Sequence, residues 1–435
     1  MKHATSLQHL GITQLNDMQQ AALEALHQHD NVMLLSPTGS GKTVGFLLPL
    51  LERLQPNTGK IQALILAPSR ELALQIDEVF RRLRTGHKVT CCYGGHDMKV
   101  ESNNLIEPPA LLIATPGRVL DHIARGNVDT RSITALVIDE FDKCLDMGFA
   151  DEMADIFNQL PNVRKRMLTS ATRIDELPMF TGIKQVTTLD YLEATPVESH
   201  LEVRRVNAWQ ADKLDTLLSL VCKLGEQSML IFLNHREAVE RVSTFLTEHG
   251  VVTDFFHGGL EQRDRESTLT HFRNGSCRIL ICTDLAARGL DIPNIDAVIH
   301  YHLPVNEEAY THRNGRTARM HASGVAYVIV ATDELLPDFI PDDLHFESLP
   351  DAIVLPPQPQ WVTLRINKGK KDKVNKVDIV GFLCQKGKID KADIGLIDVK
   401  DMFAYVAVKR SLVDDLMKQL KGEKLKGRSA NVFVV

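Results

Sequence analysis

The chain has 435 residues, a length that predicts about three domains. Hydrophobic residues make up 44% and charged residues 24%, which excludes disorder throughout and leaves ample apolar surface to bury. The net charge of −6 hides an asymmetry: residues 361–435 hold 17 Lys and Arg against 9 Asp and Glu, a net of +8, and the rest of the chain has a net of −14. A basic module on an acidic body either meets a polyanion or serves as a lysine-rich, solubilising surface. No apolar run approaches the roughly 20 residues of a membrane helix, and the N-terminus has no signal-like apolar stretch, so a cytoplasmic protein with no membrane partner is expected. The seven cysteines form no CxxC pair and read as reduced thiols.

Short apolar runs at 32–35, 63–67, 89–93, 111–114, 135–139 and 167–169 predict buried parallel strands. Amphipathic stretches such as 70–83 lie between them. This alternation predicts a doubly wound α/β domain over residues 1–195. The pattern restarts at 229–233, 279–283, 297–301 and 325–330, giving a second α/β domain over 200–345 that could duplicate the first. Residues 194–199, with Pro196, form the expected hinge. Residues 331–360 change character, with six prolines between 337 and 359, and predict a semi-rigid, Pro-rich linker at 346–360. Over 361–435 the order strand, helix, strand, strand, helix, strand predicts a small split βαβ module of α+β type.

SPTGSGKT, residues 36–43, follows a predicted strand and opens a predicted helix, the context of a phosphate-binding loop. The N–H groups of Gly39, Ser40, Gly41, Lys42 and Thr43 can face a polyphosphate at a helix N-terminus. Lys42 supplies charge to the β- and γ-phosphates, and the Thr43 hydroxyl can ligate Mg²⁺. Asp139 ends a predicted buried strand, where open α/β sheets place ligands. It can hold the hydrated Mg²⁺, while Glu140 orients and deprotonates water. Arg313, Arg316 and Arg319 recur at helical spacing, so one helix would present all three on one face. That row is either a solvated basic surface or a set of fingers, Arg316 and Arg319, on the γ-phosphate.

Taken together, these motifs resemble the DEAD-box RNA helicases of superfamily 2, over residues 1–345 and in the family's order. Gln19, SPTGSGKT, APSREL (67–72), Gly94–Gly95, TPGR (115–118), DEFD (139–142), SAT (170–172), IFLN (231–234), Gln262 with Arg265, TDLAARGLD (283–291) and HRNGRTAR (312–319) carry it. The resemblance implies two tandem RecA-like doubly wound parallel-sheet domains and an ATP-dependent, RNA-stimulated helicase using Mg²⁺. It implies ATP contacts at Gln19, Thr38, Gly289 and Asp291 beside those of the loop. It also implies RNA-backbone contacts at Arg70, Gly94, Gly95, Thr115, Arg118, Arg265 and Thr283. None of these types reads base edges, so binding by this core is expected to be insensitive to sequence.

The chain departs from the family at four places, the mildest being Ala318, where the family often has Gly in the HRNGRTAR motif. Phe141 stands where the family has Ala, and it needs space under the phosphate loop. Lys2 stands where an aromatic residue stacks on adenine, and Leu15 replaces a Pro. A non-hydrolysing, ATP-gated RNA clamp is the alternative that these departures raise, and a DNA helicase is a third reading.

The C-terminal module resembles the RNA-binding domain of DbpA-type bacterial helicases, an RNA-recognition-motif-like fold. Phe403 and Tyr405 share one strand face, which is either a base-stacking platform or core. Lysines 368–376, among them Lys370, Lys371 and Lys373, and the cluster at 418–428 suit folded RNA gripped by its phosphates. The resemblance implies structured ribosomal RNA and a pre-ribosomal particle as partners; a monomer is favoured.

Overall fold

The computed structural model describes residues 4–435 apart from 38, 175, 193–200, 209, 285–294, 318–323 and 351. Contacts group the described residues into two units, the first within 1–197 and the second within 198–435.

The first unit is built on seven strands: β1 Asn31–Leu35, β2 Ala63–Leu66, β3 Val89–Cys92, β4 Leu111–Ala114, β5 Ala135–Ile138, β6 Lys165–Ser170 and β7 Thr187–Asp190. All pair in parallel, in the order β3-β4-β2-β5-β6-β1-β7. The near-unbroken apolar runs of β2, β4 and β5 are buried throughout, as a sheet covered by helices on both faces requires. One core packs Phe46 and Leu47 of the helix Lys42–Leu51 against one face. The other packs Phe141, Cys144, Met153 and Ile156 against the opposite face.

The second unit begins with β8 Leu201–Asn207, β9 Met229–Leu233, β10 Asp254–Phe256, β11 Ile279–Thr283, β12 Ala297–His300, β13 Gly324–Val330 and β14 His345–Phe346. Their order, β10-β11-β9-β12-β13-β8-β14, repeats that of the first sheet strand for strand, again all parallel. Strands β7, β8, β10 and β14 are additions to the sequence-based expectation. β7 alternates half-buried and exposed residues at a sheet edge, and β14 is two residues long, so neither carries an apolar run to find.

The C-terminal module has β15 Trp361–Ile366, β16 Ile394–Val399, β17 Ala404–Lys409, a hairpin of β18 Lys424–Leu425 with β19 Arg428–Ser429, and β20 Val432–Val434. The main sheet is antiparallel, β16-β17-β15-β20, with the helices Lys376–Gln385 and Val413–Leu420 on one face. Val362, Leu364, Ile366, Ala404, Val406 and Val408 point into that helix-covered core. Tyr405 points the other way and is buried as well, at 1% exposure, so of the two alternatives raised by the sequence it is core and not an open stacking platform. On that same face the Thr363 hydroxyl meets Ser276 Oγ at 2.7 Å and Asn274 Nδ2 at 3.3 Å.

The linker also differs from the expected spacer. Arg278 donates to Pro357 O, Arg410 Nε donates to Pro359 O at 2.7 Å, and Pro356–Pro359 line a crevice with Gly250, Val251 and Ile279. Proline cannot donate, but its carbonyl accepts, and two arginines use that to hold the strap against its neighbours.

Candidate functional site

Strand order brings the distant motifs together. β5, β6 and β1 are consecutive neighbours, so the loops leaving their carboxyl ends meet at one edge. Those loops are Asp139–Glu140, Ser170–Thr172 and Ser36–Gly41. β3, β4 and β2 form the other half of the sheet, and their ends lead to Gly94–Gly95, Thr115–Arg118 and Ser69–Arg70.

In the phosphate-binding loop, Gly39 and Gly41 take φ of 83° and 91°, the left-handed region that glycine enters without strain. Gly41 is the N-cap of the helix Lys42–Leu51. Lys42 Nζ donates to Ser36 O and, at 2.8 Å, to Pro37 O. Burial lowers the pKa of Lys42, while Asp139, Glu140 and Asp142 act to raise it. Gln19 braces this loop. Its Nε2 donates to Gly41 O at 3.2 Å, and its Oε1 and N–H close a capping box with Asn16. The φ of 91° is what calls for glycine at position 41; a Cβ there would also stand 2.6 Å from Gln19 Nε2, which would have to swing away from Gly41 O.

Asp139 is buried and accepts from the Thr169 hydroxyl and from Glu140 N–H, the latter at 3.2 Å. Burial pushes its carboxyl above the ordinary range, against the pull of Thr169 and Lys42. Glu140 sits at φ 50°, ψ 55°, a costly conformation for a non-glycine residue. Its N–H also donates to Thr169 Oγ1 at 3.1 Å, which helps to hold the turn. Asp142 Oδ2 accepts from Thr172 Oγ1 at 3.0 Å and from Ala171 N–H at 3.3 Å, tying SAT to DEFD. Thr169, which bonds both Asp139 and the Glu140 N–H, is a site contact that the motif reading missed; its only signal was its place one residue before SAT on a buried strand.

The oxygen donors here suit a hard divalent cation. Asp142 Oδ1 and Ser40 Oγ are buried without a partner, and Thr43 and Asp139 supply further oxygens, so the residues fit hydrated Mg²⁺.

Phe141 does not sit under the phosphate loop as expected. It is fully buried in the core on the opposite face of the sheet from the helix that the loop opens. The turn at Glu140 aims it there.

At the other half of the edge, Arg70 lies over Gly94 and Gly95. A Cβ on Gly95 would come within 2.6 Å of Arg70 Nη1, and Gly95 has φ of 86°. Thr115 is the N-cap of the helix Pro116–Ala124, which carries Arg118. Arg118 Nε donates to Glu101 Oε2 at 2.7 Å, and its Nη2 donates to His96 O.

In the second unit, Thr283 ends β11, and the Arg265 guanidinium lies 5.1 Å over the Phe256 ring. The expected single helix face of arginines is not formed. The helix Glu307–Asn314 stops before Arg316. Arg313 is 1% exposed and bonds Asp284 through both Nε (2.6 Å) and Nη2 (2.7 Å), with His302 O and Asn234 Oδ1 as further acceptors. Arg313 is thus a structural brace, because an interior guanidinium needs all its donors paired. Arg316 is buried to 7% exposure. Lys2, Thr38, Gly289, Asp291 and Arg319 lie outside the described residues. In the C-terminal module Lys370, Lys371 and Lys373 are exposed, whereas Lys418, Lys426 and Arg428 pair with Asp415, Asp378 and Asp372. Arg365 lies 4.6 Å over Phe403, which itself meets Tyr405 edge-on.

Comparison with known proteins agrees with this layout. Residues 16–180 match the DEAD/DEAH box helicase family, 212–321 the helicase conserved C-terminal domain, and 363–433 the DbpA RNA binding domain. The chain is similar to the ATP-dependent RNA helicase DbpA of Escherichia coli, at 35% identity over 98% of this chain and 96% of that one. It is also similar to the Bacillus subtilis protein of the same name, at 30% over 98% and 96%. Among solved structures, S. cerevisiae Dbp5 bound to RNA and ADP BeF3 aligns with a TM-score of 0.69 and 29% identity, over 76% of this chain and 88% of that one. With a relative of this identity spanning nearly its whole length, and the nucleotide motifs gathered at one sheet edge, the chain belongs to the DEAD-box ATP-dependent RNA helicases of the DbpA type.

Proposed function

We propose that this RNA-stimulated ATPase separates short RNA duplexes locally and is directed by its C-terminal module to structured ribosomal RNA during large-subunit assembly in the cytoplasm, acting as a monomer. The observation that carries the reading is the division of one sheet edge into a phosphate-and-carboxylate half and an adjoining arginine-and-glycine half, which couples a nucleotide to an RNA backbone.

In this reading Lys42 neutralises the β- and γ-phosphates, and the loop N–H groups orient them. Thr43 and Asp139 hold Mg²⁺, which when bound offsets phosphate charge. Glu140 takes the proton of the attacking water, and its strained backbone fixes the carboxylate's direction. Gln19 senses the base, and its bond to Gly41 O passes that occupancy to the loop. Arg316, with Arg319, supplies charge to the γ-phosphate. Arg70, Gly94, Gly95, Thr115 and Arg118, together with Arg265 and Thr283, grip the RNA backbone without reading bases. Exposed Lys370, Lys371 and Lys373 hold the phosphates of a hairpin. The boundaries 1–195, 200–345, 346–360 and 361–435 are the corresponding functional segments.

The test combines strand displacement with competition between a ribosomal hairpin and an unrelated RNA of equal length. Preference for the hairpin that disappears on deletion of 361–435 supports the reading. Equal binding of both RNAs by the full chain sinks the ribosomal assignment, and absence of displacement sinks the unwinding.

A further inference from the structure

Glu101 has no part in the motifs, yet it is among the most enclosed charges in the chain, with no exposure at all. It sits on the short helix Met98–Leu105 behind the Gly94–Gly95 turn. Its Oε1 accepts from Tyr93 N–H at 3.1 Å and meets His96 Nδ1 at 3.2 Å. Its Oε2 accepts from Arg118 Nε at 2.7 Å and meets His122 Nε2 at 2.8 Å. Tyr93 and His96 bracket the glycine pair, while Arg118 and His122 lie one turn apart on the helix Pro116–Ala124. One carboxylate therefore joins two segments that come from different strands.

A metal site is the competing use of these atoms, because Cys92, Glu101 and His122 offer ligand atoms within 4.8 Å of one another. The hydrogen bonds argue against it. Asn127 Nδ2 donates to His122 Nδ1 at 3.0 Å, which leaves the ring proton on Nε2, aimed at Glu101. A cation would meet an N–H instead of a lone pair, and the Arg118 guanidinium already holds Oε2. Burial disfavours the Glu101 carboxylate, but His122, His96, Arg118 and Tyr93 N–H outweigh it and hold the pKa at about 2. A buried anion so fully bonded is a fixed post, since moving either arm strands a charge.

We propose that Glu101 is a positioning residue for RNA: it locks the Arg118 guanidinium and the Gly94–Gly95 turn into one rigid, phosphate-facing surface. Arg70, laid over the same glycines, completes that surface. The inference rests on the RNA reading of Arg118 and adds the group that organises it. Pre-set donors lose less entropy on meeting a phosphate, so the effect falls on RNA affinity and leaves the chemical step alone.

The experiment measures ATPase activity of the full chain against RNA concentration for Glu101→Gln, Arg118→Ala and the double variant. In Glu101→Gln the RNA concentration giving half-maximal rate should rise about tenfold or more, as expected for losing a charged hydrogen bond. The rate at saturating RNA and the KM for ATP should stay near wild type. The double variant should lose less than the sum of the two single losses, because part of Glu101's effect runs through Arg118 while its hold on the glycine turn through Tyr93 and His96 does not. Weakened RNA binding in Arg118→Ala with none in Glu101→Gln, or additive losses in the double variant, would overturn the proposal. No RNA effect in Arg118→Ala would instead overturn the RNA reading beneath it. If Glu101→Gln does not fold, His96→Ala takes its place, removing one contact from the carboxylate and leaving Arg118 paired. It should raise the RNA requirement about threefold, and an unchanged requirement counts against the proposal.

Discussion

In the first lobe β5 runs into Asp139 and Glu140; its topological counterpart in the second lobe, β12, runs into Tyr301 and His302. β1 leads to a glycine-rich loop, whereas its counterpart β8 leads to Ala208, whose N–H simply continues the ladder to Val330 O. Two sheets with the same strand order thus present different chemistry at equivalent ends. In the first, Lys42 and the carboxylates of Asp139, Glu140 and Asp142 converge on the proposed place for phosphate. In the second, a buried charge is spent internally: Arg313, Asp284, Asn234 and the His302 carbonyl satisfy one another. Topology delivers loops to an edge, but the side chains on those loops decide whether the edge binds a ligand or braces the fold.

The comparison can be broken most forcefully at Arg316, the one described arginine of its motif assigned to chemistry. Arg316→Ala should lower RNA-stimulated phosphate release by about 10³-fold or more. Full activity would remove the second lobe's arginine from the reaction. Glu140→Gln should cost about 10²–10⁴ in the same assay while ATP binding survives. A wild-type rate would show that the first lobe's carboxylate edge holds metal alone.

The bracing role of the second lobe's charge is sharpened by Arg313→Ala. It strands Asp284 and should destabilise the chain by roughly 3 kcal/mol, read as a lower urea midpoint. A midpoint shift of a few tenths would mean that Arg313 is held for function.

A pH measurement separates the lobes more gently. His300 is buried, and burial together with Arg313 depresses its pKa to about 3. The unfolded imidazole, near 6.5, binds the proton more tightly, so this contribution is complete above that value and is lost as pH falls towards 3. At pH 5 the loss is about 2 kcal/mol. His300→Asn should reduce the drop in urea midpoint between pH 7 and pH 5. An equal drop in both proteins would assign the acid sensitivity elsewhere. The smallest effect is expected at the tail: reversing charge at Lys370, Lys371 and Lys373 should make the salt dependence of hairpin binding shallower.

Among the described residues, no helix is long and apolar enough to cross a membrane, which matches the absence of long apolar runs. The sequence by itself determined the α/β class and the placement of the phosphate loop. Unbroken apolar runs read as strands buried on both faces, and a strand–SPTGSGKT–helix pattern has few other solutions. It determined as well that a β-α-β-β-α-β module occupies residues 361–435, because alternation in those strands is local information. Tertiary structure alone decided the rest. Arg313 and Arg316 look alike in sequence, and only the end of the helix at Asn314 and the nearness of Asp284 divide them into brace and candidate finger. Phe141 changed sides because a left-handed turn at Glu140, held by Thr169, directed it. The proline strap became a fixed support because arginines distant in sequence reach its carbonyls. Glu101 had no sequence signal, since its four contacts come from segments up to 21 residues away and converge only when β3 and β4 lie side by side. Local pattern fixes what a segment becomes, whereas the worth of a charge depends on neighbours that only the folded sheet supplies.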